Sequence, residues 1–170
     1  MGKIIKITGL VLAISSLFYL DFVRDYFFKN VGFQIYYLVH LSNDGIATID
    51  NYTDSTIEYF ISDFSIEELT LLKWYGTLFF IITFGVFGAL INYYVHQTKK
   101  IFFYVLTTYA FLLLSSLFFY ALTYINYSYS FQQKNYLISM EIAHFLQSSL
   151  PTLLFLVSFK LYKENLTKTK

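Results

Sequence analysis

The residues best suited to chemistry lie near the start of the last apolar segment. Glu141 and His144 are three residues apart, which is one helical turn, and Gln147 follows on a neighbouring stripe. An E-x-x-H pair can supply two ligands to a di-iron carboxylate site in a helical bundle. Such a site also needs matching carboxylates and usually a second E-x-x-H pair, and the sequence contains no second pair. We therefore expect this cluster to form an interfacial or partner-contact surface rather than a metal or catalytic site.

Other signatures of enzymes are missing from the sequence. There is no cysteine, which excludes disulfides, thiolate zinc sites and cysteine nucleophiles. The chain has no G-x-S-x-G, no H-E-x-x-H and no phosphate-binding glycine loop. We predict a protein without a cofactor and without enzymatic activity. A membrane enzyme that uses Glu141 and His144 near the outer membrane face stays the alternative.

The apolar composition predicts that the elements carrying these residues lie in a membrane. Hydrophobic residues make up 56% of the 170 residues and charged residues only 14%, which is too apolar for an ordinary soluble domain. A helix needs about twenty apolar residues to cross a bilayer. Four runs approach or exceed that length, at about 4–20, 74–95, 101–125 and 142–162. We predict an all-α, polytopic protein whose residues 1–170 form a single integral membrane domain.

The first run is the shortest of the four, and two interpretations apply to it. With Lys3 and Lys6 before its apolar part, it has the pattern of a signal peptide. No small-x-small cleavage site follows, because the run leads directly into Asp21. An uncleaved anchor is therefore the favoured interpretation.

Charge is unevenly distributed around the runs. Nine of the eleven acidic residues lie in the connection 21–70, whereas lysines flank the other ends of the runs: Lys3, Lys6, Lys99, Lys100, Lys160, Lys163, Lys168 and Lys170. An excess of Lys and Arg marks cytoplasmic loops. This pattern predicts a bacterial inner-membrane protein with both termini in the cytoplasm and the acidic loop outside. The basic residues are dispersed at helix ends, so we expect no nucleic-acid partner.

The outer loop 21–70 is predicted to be mainly helical. Its aromatic part, 26–41, either continues the first helix or lies along the membrane interface. Asn43-Asp44-Gly45 is a turn signal, and a short helix is expected to begin near Asp54. Ser65 and Glu68 have the spacing of a capping box, which predicts a helix start just before the second run.

Small residues and a proline predict where helices pack. Gly76, Gly85 and Gly88 would let another helix approach the second run closely, and Pro151 interrupts the hydrogen-bond ladder of the fourth. The middle of the second and third runs has no Asp, Glu, His or Arg, so an ion-coupled transporter made from this chain alone is disfavoured. A channel or transporter subunit lined by hydroxyl groups stays a second alternative.

The layout and the last helix resemble those of a known group of proteins. The chain has a short basic start with one anchor, an outer segment, a lysine-bounded helical pair, and a last run reading HFLQSSLPTLLFLVSFKLY over residues 144–162. It resembles small membrane proteins associated with exosortase F systems. The resemblance implies an accessory inner-membrane protein that works beside a sorting peptidase in export or envelope assembly. Our hypothesis is a non-enzymatic accessory subunit in contact with lipid and with other membrane protein subunits.

Overall fold

Six helices make up the part of the chain that the computed structural model describes. This part comprises the backbone of residues 2–44, 55–125 and 128–168, with the side chains of 7–40, 55–57, 59–125 and 128–162. The helices are α1 (Gly2–Asp44), α2 (Glu58–Ile61), α3 (Ile66–His96), α4 (Lys99–Leu122), α5 (Tyr129–Leu146) and α6 (Leu150–Lys168). The described residues contain no strand. The prediction of an all-α fold is confirmed.

Several of these helices are long and apolar enough to cross a membrane. Residues Ile7–His40 of α1, together with α3 and α4, meet this condition singly, and α5 and α6 meet it jointly as a bent pair. At 1.5 Å per residue the 24 residues of α4 extend about 36 Å, more than the roughly 30 Å of a hydrocarbon core. Large apolar side chains are exposed along α4, including Phe103, Phe111, Leu114 and Phe118. Such a surface is suited to contact with lipid, and the chain has the character of a multi-pass membrane protein.

The first helix extends far beyond the predicted run 4–20. It continues through Asp44, so the first half of the predicted outer loop is a continuation of α1. Residues 21–44 contain no proline, and an added Cβ at Gly32, their only glycine, would meet nothing within 4 Å. The helix ends one residue before Gly45 of the predicted turn. The rest of that turn and the predicted helix start at Asp54 lie outside the described residues.

The link between α3 and α4 is only two residues long. Gln97 has a φ of 56°, the left-handed conformation that commonly ends a helix, and its N–H donates to Tyr93 O at 2.8 Å. Thr98 then precedes α4, which starts with Lys99 and Lys100. The two predicted runs 74–95 and 101–125 therefore correspond to consecutive helices with the lysine pair at their junction.

The last predicted run, 142–162, is not one continuous helix. Helix α5 begins well before it, at Tyr129, and ends at Leu146, and α6 starts at Leu150 after a bend of 67°. Pro151 has no N–H, and its ring excludes the carbonyl of residue 147 from the usual helical position. The same proline is well suited to the first turn of a new helix, which is where it lies in α6.

The chain divides into two units whose boundaries fall inside α1 and α3. One unit is Met1–Asp21 with Phe80–Lys170, and the other is Phe22–Phe79. In the second unit α2 and the start of α3 pack against α1 around Val31, Ile61 and Leu69. The predicted capping box is confirmed there, because Ser65 N–H donates to Glu68 Oε2 at 2.8 Å and Glu68 N–H to Ser65 Oγ at 3.3 Å.

In the first unit α4 and α5 form an antiparallel pair. The amide of Gln132 donates to Ile125 O at 3.4 Å near the connection, and Ser116 Oγ donates to Ser139 O at 2.9 Å two turns further on. The core of this unit contains side chains from four helices with no exposed surface: Leu17, Phe84, Val105 and Leu146.

Candidate functional site

The three predicted site residues lie near the end of α5, in different surroundings. Glu141 and His144 are both exposed on α5, and neither makes a hydrogen bond or ion pair within the described part of the chain. Gln147 is buried at the end of α5, where its amide donates to Ala143 O at 3.1 Å. Among the described residues no group of three His, Cys, Asp or Glu side chains is placed to hold a metal ion.

Polar side chains converge instead where α5 gives way to α6, on a face of α3 that carries two glycines. The ring of Tyr109 from α4 lies against Gly85, where an added Cβ would be 3.1 Å from the ring atom Cδ1. The side chain of Thr152, in the first turn of α6, lies against Gly88, where an added Cβ would overlap Oγ1. Side chains at 85 and 88 would keep both hydroxyl residues away from the backbone of α3. Gly76 lies in the other unit, against the ring of Phe27.

Asn92 lies one turn beyond Gly88 on the same helix. Its Nδ2 donates to Gly88 O at 2.9 Å, a local bond typical of polar residues within helices, and also to Thr152 O at 3.4 Å. The side chain is completely buried. Its carbonyl oxygen Oδ1 has no hydrogen-bond partner in the described part of the chain.

Two buried hydroxyl groups also lack a hydrogen-bond partner among the described residues. The phenol of Tyr109 is close to the hydroxyl of Thr152, yet neither oxygen completes a hydrogen bond of good geometry with a described residue. Tyr109 is 4% exposed, and Thr152 and Asn92 are 0% exposed. Buried polar groups in folded proteins nearly always have a partner. Three unpartnered oxygens around one threonine therefore need a physical explanation.

An acidic residue completes the group. The N–H of Ser149, just before α6, donates to both carboxylate oxygens of Asp21 at 3.3 Å. The carboxylate thus lies at the positive end of the α6 dipole, a favourable place for negative charge. It is also close enough to Tyr109 to act on it electrostatically. We call Asp21, Asn92, Tyr109, Ser149 and Thr152 the break cluster.

The sequence pattern does not predict the break cluster as a site. Asp21 directly follows the first apolar run, in the position of a loop residue, and Tyr109 is one of 17 tyrosines. Asn92 gave the one usable signal, because an amide inside an apolar run must find partners within the protein. The geometry offers one carboxylate, an amide oxygen and hydroxyl groups, all of which can act as oxygen ligands. No protein-family model, no curated protein and no solved structure matches the chain.

Proposed function

We propose that this protein is a non-enzymatic accessory subunit of a membrane protein complex, and that it contacts its partner through the face of α5 carrying Glu141 and His144. The observation that supports this function is the exposure of two ionisable side chains on a helix that packs along α4.

The antiparallel pairing of α4 and α5 relates the two side chains to levels along α4. Since Ser139 lies beside Ser116, Glu141 is near the level of Leu114 and His144 near that of Phe111. At 1.5 Å per residue these levels are about 22 Å and about 18 Å from Lys99. If Lys99 lies at one membrane surface, both side chains fall within a hydrocarbon core roughly 30 Å thick.

Ionisable side chains at this depth are costly when they face lipid. A charged residue at the centre of a membrane helix costs roughly 2.5–3.5 kcal/mol on insertion scales, and such residues usually face protein or water. A polar group on another chain would remove this cost. The exposed apolar neighbours on α5, among them Leu137, Ile138 and Met140, would add packing area to the same interface.

The location and process belong to the same proposal. The lysines at the α3–α4 junction and at both ends of the chain support a bacterial inner-membrane protein with cytoplasmic termini. The resemblance of residues 144–162 to exosortase F-associated proteins supports a role in protein export or envelope assembly. Its polar-Pro-apolar pattern falls on the break between α5 and α6.

Site-specific photocrosslinking in the native membrane tests the interface. A photoreactive residue replaces His144, and a matched one replaces Tyr104, which is exposed on α4. We expect one dominant protein adduct from position 144 and mainly lipid adducts from position 104. The adduct's partner should also co-purify in stoichiometric amount with the tagged wild-type chain in mild detergent.

Charge substitutions provide the control. Glu141→Gln together with His144→Gln should reduce recovery of the crosslinked partner, whereas Glu67→Gln in the exposed first turn of α3 should not. Equal lipid labelling from both positions, with recovery of the protein alone across several detergents, would contradict the subunit function. Loss of an activity with unchanged assembly in the glutamine variants would instead favour the enzyme alternative.

A further inference from the structure

The unpartnered oxygens of the break cluster have a common chemical property. Asn92 Oδ1 can only accept a hydrogen bond, and the hydroxyls of Tyr109 and Thr152 each have lone pairs to offer. All three are at least nine-tenths buried and come from three different helices. Leaving such groups unmatched costs roughly 1–3 kcal/mol each. An occupant that accepts lone pairs from all three at once would remove that cost.

The charge of the break cluster and the number of its oxygen ligands limit which kind of ion or molecule could bind there. Neutral oxygens beside a single carboxylate suit a hard cation of low charge, whereas Ca²⁺ takes six to eight oxygen ligands, several of them carboxylates. Asp21 adds negative potential at Tyr109, which favours a cation over a neutral ligand. Broken helices in membrane proteins are also recurrent places for ion sites, because their ends leave main-chain groups outside the regular ladder.

We propose that the break cluster binds a small monovalent cation, with Asn92 Oδ1, the Tyr109 hydroxyl and the Thr152 hydroxyl as ligands and Asp21 as the nearby negative charge. The bound ion would join α3, α4 and the first turn of α6. Tyr109 is ten residues from Lys99, or about 15 Å along α4, which puts the site near the middle of a membrane if the lysine pair lies at its surface. Its function would be to fix the bend between α5 and α6.

Sodium is the probe for this site. The purified full-length protein in lipid nanodiscs is titrated with radioactive sodium, and its thermal unfolding is followed in sodium chloride and in choline chloride of equal ionic strength. We expect saturable binding of about one ion per chain and a melting temperature that rises with sodium but not with choline, because a ligand specific for the folded state stabilises it.

Two matched pairs of variants locate the site. Tyr109→Phe and Thr152→Val remove a ligand hydroxyl with little change of shape, and each should weaken sodium binding by about tenfold or more, equivalent to about 1.4 kcal/mol. Tyr104→Phe changes an exposed tyrosine of α4, and Thr108→Val removes a hydroxyl that already donates to Tyr104 O at 2.9 Å. These two controls should bind sodium like the wild type.

Three results would overturn the proposal. Wild-type protein that binds no sodium, with equal melting temperatures in the two salts, would show a site filled by water alone. Sodium binding that survives in both Tyr109→Phe and Thr152→Val would place the ion elsewhere. An equal loss in Tyr104→Phe and Thr108→Val would show a general effect on the fold.

Discussion

Asn30 and Asn92 occupy equivalent local positions in the two units of the molecule. Each is buried on a long apolar helix, and each donates from Nδ2 to the carbonyl four residues earlier, Tyr26 O at 2.8 Å for Asn30 and Gly88 O at 2.9 Å for Asn92. Both side chains therefore make the same local hydrogen bond to the helix backbone. Asn92 Nδ2 also reaches Thr152 O at 3.4 Å, but the main difference between the two side chains lies in the partners of their carbonyl oxygens.

The carbonyl oxygen of Asn30 is fully used. It accepts from Thr56 N–H at 2.7 Å, from Thr56 Oγ1 at 2.8 Å and from Ser55 Oγ at 3.3 Å, and Tyr26 OH lies 2.6 Å from the same threonine hydroxyl. This network attaches the segment before α2 to α1 and leaves no position for a ligand at that oxygen. Asn92 Oδ1, by contrast, has no partner in the described chain. Asn30 therefore holds two segments of its unit together by hydrogen bonds, whereas Asn92 presents an acceptor without a partner in the described chain.

The largest effect is expected when the hydrogen bonds of Asn30 are removed. Asn30→Leu leaves the part-buried N–H of Thr56 and the buried hydroxyl of Ser55 without their acceptor, and an unmatched buried group costs roughly 1–3 kcal/mol. We expect a loss of about 3 kcal/mol in the free energy of unfolding, measured in bicelles by denaturant titration, and faster hydrogen exchange at the Thr56 amide. Gln133→Leu, an exposed position on α5, is the control. Unchanged hydrogen exchange at the Thr56 amide would show that the hydrogen bonds of Asn30 contribute nothing to stability.

A smaller effect is expected from closing the glycine face beneath the break cluster. Gly88→Ala puts a Cβ into the space of Thr152 Oγ1, and overpacking of this kind costs about 2 kcal/mol. Gly32→Ala is the matched control, because an added Cβ there meets nothing within 4 Å. It should raise stability by up to about 1 kcal/mol, the usual advantage of alanine inside a helix. Equal effects from the two substitutions in the same unfolding assay would contradict the close approach of α6 to α3.

The helices were predictable from sequence to different extents. Long apolar runs indicate helices because a bilayer leaves backbone groups no other partners, and the capping box at Ser65 and Glu68 marked the start of α3. The end of α1 was harder to predict from sequence. The charged residues after Asp21 suggest a loop, whereas only a proline or a specific turn would have stopped the helix. The helix continues through Asp44, so charged residues here indicate polar surroundings and not the end of a helix.

The break cluster lay beyond sequence reasoning for a different reason. Pro151 indicates an interruption, but the contact between Asp21 and Ser149 joins residues 128 positions apart. Likewise, Asn92 and Thr152 are 60 positions apart. Such contacts depend on how helices pack, and a single sequence contains no direct record of that packing. Glu141 and His144 illustrate the converse, because their helical spacing was evident while their exposure was not.

The smallest effect is expected at Asn92, and it depends on the salt. Asn92→Leu removes one donor and one already unmatched acceptor together, so in choline chloride we expect a change of less than about 1 kcal/mol in the free energy of unfolding. In sodium chloride the variant should lack the stabilisation that the wild type gains from the ion, whereas Asn30→Leu should keep that gain while being less stable in both salts. Unfolding titrations of the two variants in the two salts distinguish these outcomes. If Asn92→Leu costs as much as Asn30→Leu in choline, its carbonyl oxygen has a structural partner, and the contrast between the two asparagines is wrong.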